Sequence, residues 1–261
     1  AEGARHVLGC GGMGPLLALW EQQAVTASDK IDAEHGRHAA LYASQALAQL
    51  LLHAPNSSAR DSLLRGGALN PLLAMATRER ERASSGDSSA SGARGGSGDD
   101  FERAWRDELR ALAARTLNDL ARRDGSRAEL VSEGALFKLM ELAAEADTSV
   151  VRLAVGGLRS VSESEALRPR MLDEPGLLQA LVHHTNSEDG EITRHALLAV
   201  LHLATGSSHH PLLLQLLPAM PLQQLCSDGS VELQHACARL FYLLGRPQSG
   251  GIMQLSDAVA L

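Results

Sequence analysis

The chain has 261 residues, of which 44% are hydrophobic and only 3% aromatic, and its formal net charge is −7. This length is enough to bury a sizeable core, and a leucine- and alanine-rich composition favours helices over strands. The negative charge disfavours a nucleic-acid-binding protein, which usually carries a basic face. No apolar run approaches the length that crosses a bilayer, so membrane insertion is not expected.

The N-terminal segment Gly9-Cys10-Gly11-Gly12-Met13-Gly14 matches the spacing G-x-G-x-x-G. In nucleotide-binding folds, such glycines let a pyrophosphate approach the N-terminus of a helix that follows a first strand. The motif also needs an acidic residue at the end of a second strand. Asp32 lies at a tolerable distance, but no credible strand precedes it. We interpret the segment as the entry into a helical chain and keep nucleotide binding as an alternative.

A pattern of small and aliphatic residues recurs along the rest of the chain. Each copy is an alanine followed by an aliphatic residue four positions later and by another three positions after that. This spacing places all three side chains on one stripe of a helix. From the second copy onwards the alanines recur about every forty residues, which indicates a helical repeat. The copies are Ala43-Leu47-Leu50, Ala113-Leu117-Leu120, Ala154-Leu158-Val161, Ala196-Val200-Leu203 and Ala236-Leu240-Leu243.

The interval between Ala43 and Ala113 is longer than the others because it holds an inserted segment. Between Thr77 and Phe101 the sequence is rich in serine, glycine and charged residues and has no apolar periodicity. Such a segment cannot bury enough apolar surface to offset the entropy lost on ordering. We therefore predict a disordered Ser/Gly-rich loop over residues 78–100.

A glycine also precedes a leucine-rich helix in three of the repeats, at Gly67, Gly134 and Gly176. Glycine is the natural residue where a chain leaves one helix and turns sharply into the next. Each of these positions is therefore predicted to be a corner between two helices.

Residues Arg122 to Val161 resemble an armadillo repeat almost position by position. They offer a short first helix ending in Glu-Gly-Ala, a leucine-rich second helix, an acidic turn and a long third helix with the alanine stripe. Residues Asn56 to Leu73 resemble the same first-to-second helix junction. The resemblance implies an all-α fold, a right-handed armadillo-like superhelix of about five three-helix repeats. It also implies that the third helices line a concave surface that binds partners.

The whole chain, residues 1–261, is accordingly predicted to form a single armadillo-like solenoid. Its repeats are expected at 12–53, 56–122 with the loop 78–100, 123–163, 164–206 and 207–247, followed by a C-terminal tail at 248–261.

Many armadillo proteins that grip extended peptides place an asparagine just before the last apolar residue of the third-helix stripe. None of the matching residues is asparagine here, so the resemblance does not imply a generic clamp on a peptide backbone. These positions remain the candidates for a partner-binding concave face, and the acidic one could meet a basic partner. They are Gln49, Asp119, Ser160, His202 and Tyr242.

No catalytic, cofactor or metal site is predicted. The chain has neither a G-x-S-x-G nucleophile motif nor a recognisable cysteine signature. The adjacent histidines His183 and His184 point to different faces of a helix, whereas zinc needs three or four clustered ligands. The three cysteines, Cys10, Cys226 and Cys237, cannot all pair within one chain, and we interpret them as buried free thiols.

The sequence thus predicts a non-catalytic protein-binding scaffold or adaptor, as a structural subunit of a larger multiprotein assembly. Its partners are expected to be other proteins. A nucleotide-binding protein or enzyme that uses the N-terminal glycines, and an RNA-contacting helical repeat in a ribonucleoprotein, are the alternatives. Free thiols indicate an intracellular location. Because the chain begins at Ala1, a removed organelle-targeting segment is left open.

Overall fold

The computed structural model describes Gly12 and residues 14–18, 30–54, 56–71, 73–74, 97–206, 210–216, 220–228 and 230–245. Every regular element within these ranges is a helix, which confirms the predicted all-α fold. The chain divides into two compact units, Ala1–Leu142 and Ala143–Leu261, and each is described by itself. The single solenoid and the repeat boundaries stay predictions.

The first unit holds five named helices, the last of which ends on the first residue of the second unit. Helix α1 packs against α2 and α3, and α4 packs against the same two helices. Of the second helix of the predicted repeat 56–122, the structure describes residues 70–71 and 73–74 as helical. The helices are α1 (Lys30–Leu52), α2 (Ser57–Arg65), α3 (Ser97–Ala121), α4 (Asp124–Ser132) and α5 (Ala135–Ala143).

In the second unit three longer helices pack side by side, with α9 in contact with both α6 and α12. The shorter helices pack onto them, α7 and α8 onto α9 and both α10 and α11 onto α12. The elements are α6 (Thr148–Ser162), a 3-10 turn (Glu165–Leu167), α7 (Arg168–Asp173), α8 (Leu177–His184), α9 (Gly190–Leu203), α10 (His210–Leu216), α11 (Leu222–Asp228) and α12 (Val231–Leu244).

The three longer helices of the second unit all begin at a residue whose side chain caps the first turn. An Asp147 carboxylate oxygen accepts from the Ser149 amide, and an Asp189 oxygen accepts from two amides of α9. The Ser230 hydroxyl accepts from the Leu233 amide. Each cap satisfies backbone donors that lack an intrahelical partner, and is worth about 1 kcal/mol. These caps fix where each long helix starts.

The recurring alanine and aliphatic stripes form the core, as predicted. All of their residues are at most 6% exposed except Leu243, which is half-buried. Leu243 lies in the last turn of α12, the last helix that the structure describes, so fewer described neighbours cover it. Repeated burial of a small residue beside two aliphatic ones allows neighbouring helices to approach closely.

The three predicted glycine corners are confirmed. Gly67, Gly134 and Gly176 each have φ of +81°, a left-handed conformation that residues with a side chain rarely adopt. Each lies where a first helix ends and the second begins, so the backbone geometry there favours glycine over residues that carry a side chain.

Helix α3 begins earlier than the predicted loop allows. It starts at Ser97, so residues 97–100 are helical although the loop was predicted to extend to residue 100. The rest of the predicted loop lies outside the described residues, as do the tail 248–261 and most of the N-terminal glycine-rich segment.

Within the ranges that the structure covers, no helix is both long and apolar enough to cross a membrane.

Candidate functional site

On α1, α3, α9 and α12 one face is more open than the buried stripe, whereas the equivalent face of α6 is largely buried. These faces contain all five predicted binding positions. Together we call them the third-helix stripe. In the first unit it consists of Tyr42, Gln45 and Gln49 on α1 and Leu112, Arg115 and Asp119 on α3. In the second unit it consists of Leu153, Gly156 and Ser160 on α6, His195, Leu198 and His202 on α9, and His235, Ala238 and Tyr242 on α12.

In the first unit the third-helix stripe has no fully buried residue. Gln49 is exposed and Asp119 is half-buried. Tyr42, two helical turns before Gln49, is 64% exposed. The stripes of α1 and α3 are close, because the Gln45 side-chain amide donates to a Glu108 carboxylate oxygen at 3.5 Å. This unit therefore presents a mixed polar and aromatic face.

In the second unit the three predicted positions differ strongly in exposure. Ser160 is only 6% exposed, and its hydroxyl donates to the Gly156 carbonyl of its own helix at 3.0 Å. His202 is half-buried. Tyr242 is 61% exposed. A partner would therefore meet the side chains on α9 and α12 more readily than the Ser160 hydroxyl.

His202 is held in place by contacts with the preceding repeat. Its Nδ1 lies 2.9 Å from the Ser162 hydroxyl oxygen. Burial lowers the pKa of His202, and the positive charge of Arg168 lowers it further. Arg159 and Arg239 act in the same direction, whereas Glu163 opposes them. The imidazole is thus kept neutral at pH 7 in a locally positive environment.

Opposite charges link the N-terminal ends of the same three helices. Arg152 on α6 pairs with Asp189, the capping residue of α9, and this contact lowers the pKa of the Asp189 carboxyl. Arg194 on α9 pairs with Glu191 at 2.7 Å and reaches Glu232 on α12 at 3.6 Å. Three carboxylates at this end therefore share two arginines of the chain itself.

A recurring contact that the sequence did not reveal joins four of the long helices, α1, α3, α6 and α9, to the helix that begins the next repeat. A side chain from the first helix of the next repeat donates to a carbonyl at the C-terminal end of the long helix, where carbonyls lack intrahelical partners. The donors and acceptors are Arg60 Nε to Leu51 O at 3.1 Å, Arg127 Nε to Ala121 O at 2.6 Å, Arg168 Nε to Ser162 O at 2.9 Å, and His210 Nε2 to Ala204 O at 2.7 Å.

The sequence does carry a signal for this contact. The last three donors lie the same number of positions after the alanine of the preceding stripe. The pairs are Ala113 and Arg127, Ala154 and Arg168, and Ala196 and His210. A search for basic residues in register with the stripes would have found them.

The two cysteines within the described residues lie on neighbouring helices. Both are free thiols, Cys237 buried on α12 and Cys226 exposed on α11, so the prediction of buried thiols is confirmed for the first and wrong for the second. Burial raises the pKa of Cys237 to about 12, and a hydrogen bond with the Cys226 thiol adds to the effect. No group of three or more histidine, cysteine or acidic side chains in the described ranges could hold a metal ion.

Comparison with known proteins gives matches in structure only. No family model matches the sequence, and no curated protein sequence matches it. A designed armadillo repeat protein in complex with the peptide (KR)4 is 20% identical, with a TM-score of 0.60 over 93% of this chain and 86% of that chain. Computationally designed armadillo repeat proteins for modular peptide recognition are 19% identical, with a TM-score of 0.62 over the same shares.

An engineered protein of unstated purpose is similar to the same degree, at 21% identity and a TM-score of 0.61 over 95% of this chain and 84% of that one. At such low identity the similarity concerns the fold. It confirms the predicted armadillo resemblance at that level: the chain has an armadillo-like helical repeat fold.

Proposed function

We propose that the chain is a non-catalytic scaffold that binds an extended segment of another protein along its third-helix stripe. The observation that carries the proposal is the contrast between the two faces of the long helices. Their alanine and aliphatic stripe is buried, while the third-helix stripe carries Tyr42 and Tyr242, both more than 60% exposed. Exposed tyrosines offer a large contact area with one polar end, which is the chemistry enriched at protein interfaces.

Similarity to designed proteins supports the same role. One of the similar structures holds a peptide, and another is described as made for modular peptide recognition. The fold is thus able to present a peptide-binding face, although those designs share only 20% and 19% of their residues with this chain. We extend the proposal to an intracellular adaptor or structural subunit of a multiprotein assembly, whose partners are proteins.

The proposal is tested by selecting binding peptides from a random displayed library and measuring their affinity for three variants. Tyr42→Ala and Tyr242→Ala each remove an exposed aromatic side chain from the third-helix stripe. At least one of them should weaken binding about tenfold or more, since tyrosines at the centre of an interface commonly contribute over 1 kcal/mol.

Phe137→Ala is the matched control, because Phe137 is 48% exposed but lies on α5, a second helix, outside the third-helix stripe. It should leave the affinity unchanged. The proposal fails if Phe137→Ala alone weakens binding, or if no peptide in the library binds the chain.

A further inference from the structure

We propose that Cys226 and Cys237 form a reversible disulfide that links α11 to α12 when the protein meets a peroxide. This oxidation site lies outside the third-helix stripe, so it does not depend on the proposed function. Three features support it: the positions of the two cysteines in the repeat, the contact between their thiols, and the difference in their exposure.

The two cysteines stand where the preceding repeat has two core leucines. Cys226 is the fifth residue of α11, as Leu181 is of α8. Cys237 directly follows the alanine of its stripe on α12, as Leu197 does on α9. Both leucines are 0% exposed, and α8 packs against α9 as α11 packs against α12. The repeat therefore directs both cysteines towards the interface between the last two described helices.

Each cysteine also lies on the apolar side of its own helix. Leu222, which is 5% exposed, precedes Cys226 by four residues and so lies on the same side of α11. Leu233 and Leu240 flank Cys237 at four and three residues, and both are at most 8% exposed. The two thiols are joined by a hydrogen bond across the interface. Such contact is what a disulfide requires, since its β-carbons lie about 4 Å apart.

The two thiols differ in their access to solvent. Cys226 is exposed, whereas Cys237 is buried. Burial raises the pKa of Cys237 to about 12, and the neighbouring Cys226 thiol adds to the effect, so the buried thiol stays protonated at neutral pH. An oxidant in solution therefore reacts with Cys226 first, and Cys237 then reacts with the oxidised Cys226.

The reaction uses one molecule of hydrogen peroxide and releases two of water. In the first step the Cys226 thiolate attacks a peroxide oxygen. The O–O bond breaks, a sulfenic acid forms, and the leaving hydroxide takes up the proton that the thiol lost. In the second step the Cys237 sulfur attacks the Cys226 sulfur. The S–S bond forms as the S–O bond breaks, and the second hydroxide takes up the proton of Cys237.

The two thiols thus lose two electrons, and the peroxide gains them. A dithiol reductant returns these electrons by thiol–disulfide exchange, which makes the link reversible. The link closes a short loop across the connection between α11 and α12, and so limits how far the two helices can separate. Oxidation is therefore expected to suppress local opening of this helix pair.

The test uses the full chain with Cys10→Ser, which leaves only these two thiols. The folded protein is treated with hydrogen peroxide, free thiols are blocked, and the chain is cleaved after glutamate without reduction. Glu232 lies between the two cysteines, so their fragments stay joined only if a disulfide links them. We expect joined fragments, a monomeric chain lighter by about two mass units, and recovery of both thiols with dithiothreitol.

The Cys237→Ala variant, in the same Cys10→Ser chain, tests the part played by the buried thiol. Without Cys237 the sulfenic acid at Cys226 persists, and dimedone traps it. The adduct should be at least about tenfold more abundant than in the chain with both thiols, since a thiol held in contact outcompetes a reagent in solution. Leu240→Val is the matched control, because it also trims a buried side chain of α12 but keeps both thiols. Its adduct should stay low, and circular dichroism checks that both variants remain helical.

Hydrogen–deuterium exchange before and after oxidation measures the effect on the fold. Oxidation should slow exchange in α11 and α12, whereas faster exchange there would overturn a link within the native helix pair. An adduct equally abundant with and without Cys237 would contradict the second step. Disulfides between two chains, with none within a chain, would replace the proposed link by a dimer through Cys226. Each of these contrary results would leave the proposed function standing.

Discussion

At the scale of single residues, basic side chains at the start of a repeat stabilise the end of the helix before it. Arg127 is 7% exposed, and its Nε donates to the Ala121 carbonyl at 2.6 Å while Nη1 pairs with Asp124 at 2.8 Å. Arg168 repeats both contacts, with the Ser162 carbonyl and with Glu165 at 3.6 Å. The same bond recurring between different repeats indicates that it determines how one repeat joins the next.

We predict that Arg127→Met lowers the free energy of unfolding by about 2 kcal/mol, because a buried carbonyl loses a charged donor. Urea-induced unfolding followed by circular dichroism measures the change. Arg65→Met is the control: Arg65 pairs with Glu129 at 2.8 Å, but its side chain is 65% exposed. An exposed pair contributes about 0–1 kcal/mol. Equal losses in the two variants would show that the buried hydrogen bond has no special role.

Each glycine corner also depends on a single residue, the glycine whose φ is positive. Gly134 has φ of +81°, and an added Cβ would meet no atom within 4 Å, so any cost of a side chain comes from the backbone. We predict that Gly134→Ala destabilises the chain by about 1 kcal/mol. Gly190→Ala is the control, since its Cβ also meets nothing within 4 Å and its φ is not positive. It should be neutral or slightly stabilising in the same urea titration, because alanine favours the helix.

The stripes and the corners could be predicted from the sequence because both are local. Ala154, Leu158 and Val161 lie on one side of a helix by their spacing alone, and Gly134 stands between two apolar segments. The contact between Ser162 and His202 depends instead on how two repeats pack. Pattern matching therefore selected Ser160, whose hydroxyl bonds within its own helix, and gave no sign that Ser162 would meet His202.

At the scale of helices, α11 and α12 pack against each other and bring Cys226 and Cys237 together. The spacing of Cys226 and Cys237 in the sequence does not match a paired-ligand motif, so it gave no sign that they are close. They come together only because α11 packs against α12. The start of helix α3 could not be predicted from the sequence either. The composition of residues 97–100 is that of the preceding Ser/Gly-rich segment, yet the helix extends into them.

In a Cys10→Ser background, we predict that a maleimide reagent at pH 7.5 labels Cys226 rapidly and Cys237 very slowly. Burial and the Cys226 thiol raise the pKa of Cys237 to about 12, so almost none of its reactive thiolate is present. Labelling followed by mass spectrometry measures both rates, with urea-unfolded protein as the reference. Because burial is the larger cause, Cys226→Ser should leave Cys237 slow. Rapid labelling of Cys237 in the folded Cys226→Ser chain would contradict this account of its burial.

At the scale of the whole molecule, one repeat pattern supports two chemically different faces. The first unit presents Gln49, Arg115 and Asp119, whereas the second presents histidines and Tyr242. The buried stripes are nearly the same in both units, since packing between helices requires similar small and aliphatic residues throughout. The buried stripe encodes the fold and could be predicted from the sequence, whereas partner binding by the third-helix stripe is our proposal and needs its own test.

Hydrogen–deuterium exchange of the full chain, with and without a peptide selected for binding, tests the central claim most directly. Bound peptide should slow exchange in α9 and α12, or in α1 and α3, because a ligand held along those helices suppresses their local opening. Exchange in α4 and α8, which are not long third helices, should change much less. Slowed exchange confined to α4 or α8, with the long helices unaffected, would contradict binding along the third-helix stripe.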